Sequence, residues 1–333
     1  MKTVTGRTLK IVAMITMFLD HVGAAFFERY ILFLQHNGVD AVKYEVESRH
    51  PGLWMDFMGD PAFLRDFDAL LRLIGRVSFP IFCFLLVEGF FHTRNVGRYL
   101  IRLFIFSIIS ELPFDYAFYG RVYRDSQNVF LTLFIGMLFM YFAEKVLRDP
   151  LFFKKMSALA FIPAALTGAL STIRCVSLMF FASMSGIAAD FSSPVVMAVM
   201  ALIGAALGLV IYFILTKKRD VKNKPEIFGV LLVLFITCAL AFVLKTDYSV
   251  HGVLAIAVIW LCRKMGMTNK DGVMKGCILL FALNYTECTC FFSALLVERY
   301  NGEKGKYMKY LYYIFYPAHL TLLFCLRYLF IGV

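Results

Sequence analysis

Charge is scarce in this sequence. Only 17% of its 333 residues are Asp, Glu, Lys or Arg, against about 25% in a soluble domain. Proline is sparse at nine, and tryptophan is rarer still at two. So little charge beside 60% hydrophobic residues excludes a soluble enzyme and a disordered scaffold. Metal motifs are missing too, with no Cys-x-x-Cys and no His-Glu-x-x-His. The cysteines (Cys83, Cys175, Cys238, Cys262, Cys277, Cys288, Cys290 and Cys325) sit almost entirely within apolar runs. A zinc site or disulfide framework needs clustered ligands on accessible loops, so no metal is expected, and Cys288 with Cys290 reads as a pair of packing thiols. The net charge of +11 matches the basic bias of cytoplasmic loops. It gives no reason to expect a nucleic-acid partner.

Apolar length is what the sequence has in abundance. A spanning helix takes about 20 mostly apolar residues. Clear candidates are Leu9–Phe33, Leu73–Phe91, Arg98–Tyr119, Asn128–Leu147, Pro194–Leu215, Glu226–Leu244 and Lys309–Ile331. Shorter or interrupted ones are Ser157–Leu170, Cys175–Ala189, Ser249–Cys262 and Val273–Val297. The expectation is an all-α, polytopic transmembrane bundle of about ten spans in the cell membrane. It forms one integral domain over residues 1–333, with the lipid bilayer as its first partner. Asp20-His21 interrupts the first apolar run, so that run reads as a retained helix and not a cleaved signal.

Loop charge sets the orientation. Residues 34–70 carry Lys43, Arg49 and Arg65 against seven acidic residues, which suits the outside. His92–Arg98 and Lys145–Lys155 are basic and suit the cytoplasm, which places the N-terminus inside. The basic Arg299–Lys309 fits this scheme poorly, because ten crossings put it outside. Aromatic residues Trp54, Phe57, Phe63, Phe67 and the leucines Leu64 and Leu71 recur at helical spacing among aspartates. This predicts an amphipathic insertion over about 34–71, lying at the interface before the second span.

Charged side chains inside a membrane are costly, and each is a functional candidate by default. Lys10 and His21 are eleven residues apart, about three turns plus 20°, so they share a face roughly 16 Å apart along the axis. Lys10 then sits at the cytoplasmic mouth and His21 near the midplane. Glu111, with Asp115 one turn on, reaches a similar depth in the third span. Arg76 is expected in the outer half near Asp115, and Glu88 with His92 at the inner face. Tyr316 and His319 fall within the last span, and Asp247 and His251 lie near a span boundary. Asp20, Arg76 and Asp115 also read as glue between helices, and Glu88–His92 as a polar helix end. His21 is the exception, since a midplane imidazole is a ready general base. Asp20 is its sequence neighbour, but adjacent helical residues do not face each other. Glu111 or His319 is therefore the expected orienting partner.

Several blocks carry a resemblance. Leu9-Lys10-Ile11 through Leu19-Asp20-His21-Val22-Gly23, Arg72-Leu73-Ile74-Gly75-Arg76-Val77-Ser78-Phe79-Pro80, and Val87-Glu88-Gly89-Phe90-Phe91-His92-Thr93-Arg94-Asn95 come first. Ser110-Glu111-Leu112-Pro113-Phe114-Asp115, Gln127-Asn128, Lys245-Thr246-Asp247-Tyr248, Tyr300-Asn301-Gly302 and Tyr316-Pro317-Ala318-His319 follow in order. Together they resemble the TraX family, with residues 34–71 and 150–225 reading as expansions. That family is named for a conjugation protein that acetylates pilin. Lys10, ten residues, then His21 is also similar to the basic-x10-His signature of membrane acyltransferases that draw acyl-CoA from the cytoplasm.

The resemblance and the depth argument together imply a multi-pass acetyltransferase. His21, Asp20, Glu111 and His319 form its candidate catalytic set. Lys10, Arg94, Arg98 and Arg102 are the candidates for holding the phosphates of acetyl-CoA, and Asn128 or Arg76 for stabilising the oxyanion. Glu88, Asp115, Asp247 and Tyr316 complete the polar interior. The acceptor is an amine or hydroxyl on a pilin-like protein or a surface glycan. A proton-coupled transporter and a non-catalytic assembly factor are the rival readings.

Overall fold

The computed structural model describes residues 3–149, 161–162, 165–166, 168–170, 172, 194–217, 225–305 and 309–331. Among these the secondary structure is helical and no strand forms, with an isolated bridge between Val4 and Tyr300. Among the described residues, four helical stretches are long and apolar enough to cross a membrane: Gly6–Asn37, Pro61–His92, Val129–Arg148 and Tyr310–Phe330. The protein is a helical membrane protein. Ser157–Leu170 and Cys175–Ala189 fall largely or wholly outside the described residues.

The chain divides into two compact units, one of Met1–Leu131 with Val258–Val333 and one of Thr132–Ala257. In the first, α1 (Gly6–Val22) passes through a π-helical turn (Gly23–Phe27) into α2 (Glu28–Asn37). Thr5 starts α1 by accepting the Thr8 amide on its hydroxyl at 3.2 Å, which satisfies one of the amides left open at a helix start. After α3 (Val39–Arg49), Asp60 caps α4 (Pro61–Gly75), and α5 (Ser78–His92) follows a break at Arg76–Val77. Asn95 caps α6 (Val96–Tyr119), which ends on a left-handed glycine, Gly120. The periodic aromatics expected as one amphipathic helix are thus divided. Trp54 and Phe57 belong to the turns before Pro61, and only Phe63 onward is carried by α4.

The 34–71 segment has a core of its own. Tyr30, Ile31 and Leu34 of α2 pack with Val42 and Val46 of α3, Met58 and Leu64, and Phe330 closes against them. Helix α4 returns antiparallel to α1. Asp20 lies against Gly75, where a Cβ would come within 2.2 Å of the Asp20 Cβ, and Gly23 lies against Asp68 and Arg72.

The second half of this unit revises the expected topology. α10 (Ser249–Lys264), which begins in the other unit, leads to α11 (Asn269–Leu283), a 3-10 segment (Tyr285–Phe291) and α12 (Phe292–Glu298). Val273–Val297 is therefore not one span. Lys270 and Glu298, at opposite ends of this stretch, form an ion pair at 2.9 Å. The two helices pack on each other, with Cys277 donating to the Cys290 carbonyl at 3.3 Å. The stretch is a helical hairpin whose tip, around Glu287 and Thr289, meets the α4–α5 break: Glu287 pairs with Arg76 at 3.4 Å and Thr289 donates to the Leu73 carbonyl.

Helix α13 (Lys309–Ile331) runs parallel to α1 and α6. Lys10, His21 and Ala25 meet Tyr312, His319 and Arg327 in that order, and Phe106 and Tyr116 meet Tyr313 and Phe324. Residues 299–305 are strapped to the start of α1. Val4 donates to the Arg299 carbonyl at 3.0 Å, Asn301 to the Val4 carbonyl at 2.9 Å and Gly6 to the Glu303 carbonyl at 2.8 Å. Arg299–Gly305 therefore lies on the N-terminal side of the membrane. An even count such as ten places the ends of the chain on the same side, whereas parallel first and last spans require an odd one.

In the second unit α7 (Val129–Arg148), α8 (Pro194–Lys217), α9 (Pro225–Val243) and the first turns of α10 bury Ile135, Met137, Met140, Leu232 and Val253. Gly136 admits Ile256 of α10, whose Cδ1 would lie 2.3 Å from an added Cβ.

Two outcomes follow from this packing. Gly75→Ala drives a methyl into Asp20 near its backbone and should cost about 1–3 kcal/mol, read as a lowered thermal midpoint in detergent. In a cysteine-free background, Thr3→Cys and Gly302→Cys should label with an impermeant maleimide from one side of the membrane. Labelling from opposite sides would contradict the strap.

Candidate active site

His21 and His319 are hydrogen-bonded through Nδ1 of the first and Nε2 of the second, at 2.7 Å. Their rings are nearly coplanar, with 4° between planes. His319 Nδ1 lies 2.7 Å from the Phe315 carbonyl oxygen one turn earlier. A carbonyl only accepts, so that nitrogen carries a proton. In the neutral His319 ring Nε2 is then a lone pair, and His21 Nδ1 must donate to it. The remaining nitrogen, Nε2 of His21, is left unprotonated, and no hydrogen bond engages it among the described residues. The direction of the relay is fixed at its far end by one backbone carbonyl.

Irregular backbone surrounds this pair. Immediately after His21 the helix widens into the π turn, a feature common at functional sites. Pro113 interrupts α6 and Pro317 interrupts α13, two residues before His319. Tyr316 and Phe118 stand edge-on to the His21 ring, with centroids at 5.8 and 5.3 Å. Both histidines and Tyr316 are buried.

Only part of the expected constellation gathers here. His319 is the partner of His21, and Glu111 is not: its carboxylate accepts from the Asn128 side chain and backbone instead. Asn128 is thereby spent as well. Its amide also donates to the Ser107 carbonyl at 2.7 Å, and its oxygen accepts the Phe130 amide at 3.0 Å, leaving no donor for an oxyanion. Asp20 turns away to Arg72, 3.1 Å off, as expected for adjacent positions on one helix. Arg76 pairs with Glu287, not with Asp115, which accepts the Tyr123 amide at 3.1 Å. The hairpin tip supplies the partner in place of Asp115. Glu88 pairs with Arg263 at 3.2 Å and contacts His92, which fits a polar helix end.

Of the candidate phosphate ligands, Lys10 lies over Tyr312 and Arg102 over Tyr99, at 4.7 and 5.6 Å from the ring centroids. Arg94 and Arg98 are exposed at the start of α6. Asp247 lies in the turn before α10 and His251 in its first turn, both in the other unit.

One residue escaped the sequence reading. Arg327, only 2% exposed, donates to the carbonyls of Ala25 at 3.2 Å, Ala117 at 2.8 Å and Tyr116 at 3.0 Å. It ties α13 to the π turn and to the last turn of α6, where a cation complements the helix dipole. A cation within an apolar run, eight residues past His319, was the signal available.

With this geometry in place, the family model described as TraX protein matches residues 5–166 and 169–327. The chain belongs to the TraX family. The matched ranges take in 34–71 and all of 150–225 except residues 167–168. A relative, "Probable fimbrial assembly protein FimC, serogroup H1" of Dichelobacter nodosus, is 36% identical over 99 residues, which is 27% of this chain. The chain spans 41% of that relative's length. No solved structure matches.

Arg72→Met should strand the Asp20 carboxylate and cost roughly 2 kcal/mol, the scale of a hydrogen bond to a charged group. Combining it with Asp20→Asn should restore most of that stability, as a double-mutant cycle on thermal unfolding would read.

Proposed function

We propose that this TraX-family protein transfers an acyl group, from acetyl-CoA or a close analogue, to an amine or hydroxyl of a membrane-associated or extracytoplasmic acceptor. The family and the fimbrial assembly relative favour a pilus-type acceptor. One observation carries the reading: a histidine relay whose hydrogen bonds leave His21 Nε2 as a free base inside a membrane bundle.

The chemistry follows from that atom. His21 Nε2 takes the proton of the acceptor as its oxygen or nitrogen attacks the thioester carbonyl. His319 accepts from the Nδ1–H of the resulting imidazolium and so stabilises it. Collapse of the tetrahedral intermediate breaks the carbon–sulfur bond, and the proton on Nε2 passes to the leaving thiolate to give the free thiol. Tyr316 and Phe118 hold the ring edge-on and limit its rotation. Glu111 and Asp20 serve structure here, one by fixing Asn128 at the start of α7 and the other by fixing Arg72.

A second reading, proton-coupled transport, draws on the helical hairpin and the broken α4–α5 helix, since discontinuous helices line many substrate sites. The two readings diverge in a simple assay. Purified protein in lipid nanodiscs should release free CoA from acetyl-CoA or acylate itself. His21→Ala should lower the rate by roughly 10²–10⁴-fold, the scale of general-base catalysis. His319→Ala should fall in the same direction, measured on protein whose folding is confirmed by its thermal midpoint. Proton-driven flux in liposomes without any CoA release would instead select the transporter.

A further inference from the structure

The strap on the N-terminal side does more than fix topology. It brings the Lys304 backbone against the first turn of α1, 3.6 Å from where a Cβ on Gly6 would lie and one turn from Lys10. Arg7 lies one turn before Lys10, on the same stripe of α1. Tyr312 lies under the Lys10 ammonium, its ring centroid 4.7 Å from Nζ. Gly305 makes the approach possible: its φ is +70°, and a Cβ there would meet the Arg7 Cβ at 2.9 Å and the Thr5 hydroxyl at 3.1 Å. Among the described residues, Arg7, Lys10 and Lys304 form no ion pair. The Glu303 carboxylate, in the same strap, accepts from the Asn301 amide at 3.3 Å.

Two donors in this cluster are buried without a hydrogen-bond partner, Nε of Arg7 and the hydroxyl of Tyr312. Three cations gathered by a dedicated backbone strap, with unsatisfied buried donors between them, form an unfavourable arrangement in isolation. An anion that accepts several hydrogen bonds reverses that balance, and phosphate pairs with Arg and Lys in this manner.

We propose that Arg7, Lys10, Lys304 and the Tyr312 hydroxyl form a binding site for phosphate esters at the N-terminal mouth of the α1–α13 pair. Lys10 and His21 are separated by roughly 16 Å along α1. A phosphate held at the mouth therefore lets an acyl group on a long flexible arm reach His21 Nε2. Assigning the phosphate to a soluble nucleotide cosubstrate, and not to an anionic lipid headgroup, rests on the acyl-transfer reading.

Binding separates this site from the chemistry. Calorimetry in nanodiscs of zwitterionic lipid should show CoA binding, displaced by inorganic pyrophosphate. Arg7→Gln with Lys304→Gln should weaken it at least roughly tenfold, the scale of one lost charged hydrogen bond. His21→Gln should bind like the wild type. If the paired substitution instead removes only anionic lipid that co-purifies with the protein, by native mass spectrometry, the phosphate site stands with a lipid as its occupant. If neither CoA binding nor lipid retention responds, with the variants folded by thermal midpoint, the site is overturned. CoA binding that responds as expected, in a protein that never releases CoA from acetyl-CoA, would sink the transfer reading and leave the site intact.

Discussion

A hydrogen bond between two imidazoles ties together most of what distinguishes this bundle. A buried histidine pair needs a defined proton arrangement, because each ring nitrogen left without a partner is penalised by burial. Here a single backbone carbonyl, that of Phe315, settles the arrangement at one end, and the His21–His319 contact transmits it to the other. For that contact to form, α1 and α13 must lie side by side and parallel with His21 level with His319. The strap at Val4–Glu303 and the Arg327 contacts with Ala25 and Ala117 secure that register from both ends.

The parallel register also orders the membrane depth of the polar groups. Lys10 with Tyr312, then His21 with His319, then Ala25 with Arg327 are successive rungs along one pair of helices. A neighbouring set of contacts forms at the α1–α4 crossing, where Asp20 meets Arg72 and the hairpin tip brings Glu287 to Arg76. These ion pairs keep charged side chains paired within a bundle that carries few of them. The α4–α5 break and the helical hairpin are compatible with membrane depth because their freed backbone groups find protein partners, as the Leu73 carbonyl does in Thr289.

Much of this was legible in the sequence for identifiable reasons. Apolar runs of about 20 residues leave little choice of structure in a bilayer, so Lys309–Ile331 agrees with its helix at both ends and Arg98–Tyr119 differs by two residues at one. His21 stood out because an intramembrane imidazole is costly, and His319 because it falls at mid-span. The misreadings concern partners, not positions. Glu111 and Asn128 each looked available to a reaction, but a side chain that caps a buried helix start is committed to backbone, and a single sequence does not show who caps whom. Val273–Val297 has the length of a span, and its return on itself shows only in contacts such as the Lys270–Glu298 pair, which hydropathy does not register. The basic stretch from Arg299, which fitted ten crossings poorly, is bonded to the start of α1 through Arg299–Gly305.

The account rests on His319 dictating which nitrogen of His21 carries the proton. Nitrogen-15 solid-state NMR on histidine-labelled protein in lipid, with His21→Gln and His319→Leu spectra to assign the signals, reads that directly. Both residues should be neutral and protonated at Nδ1, with His21 Nε2 resonating as an unprotonated nitrogen. A His21 protonated at Nε2, or one whose tautomer is unchanged in His319→Leu, which offers no acceptor, would contradict the relay and remove the base from which the proposed chemistry begins.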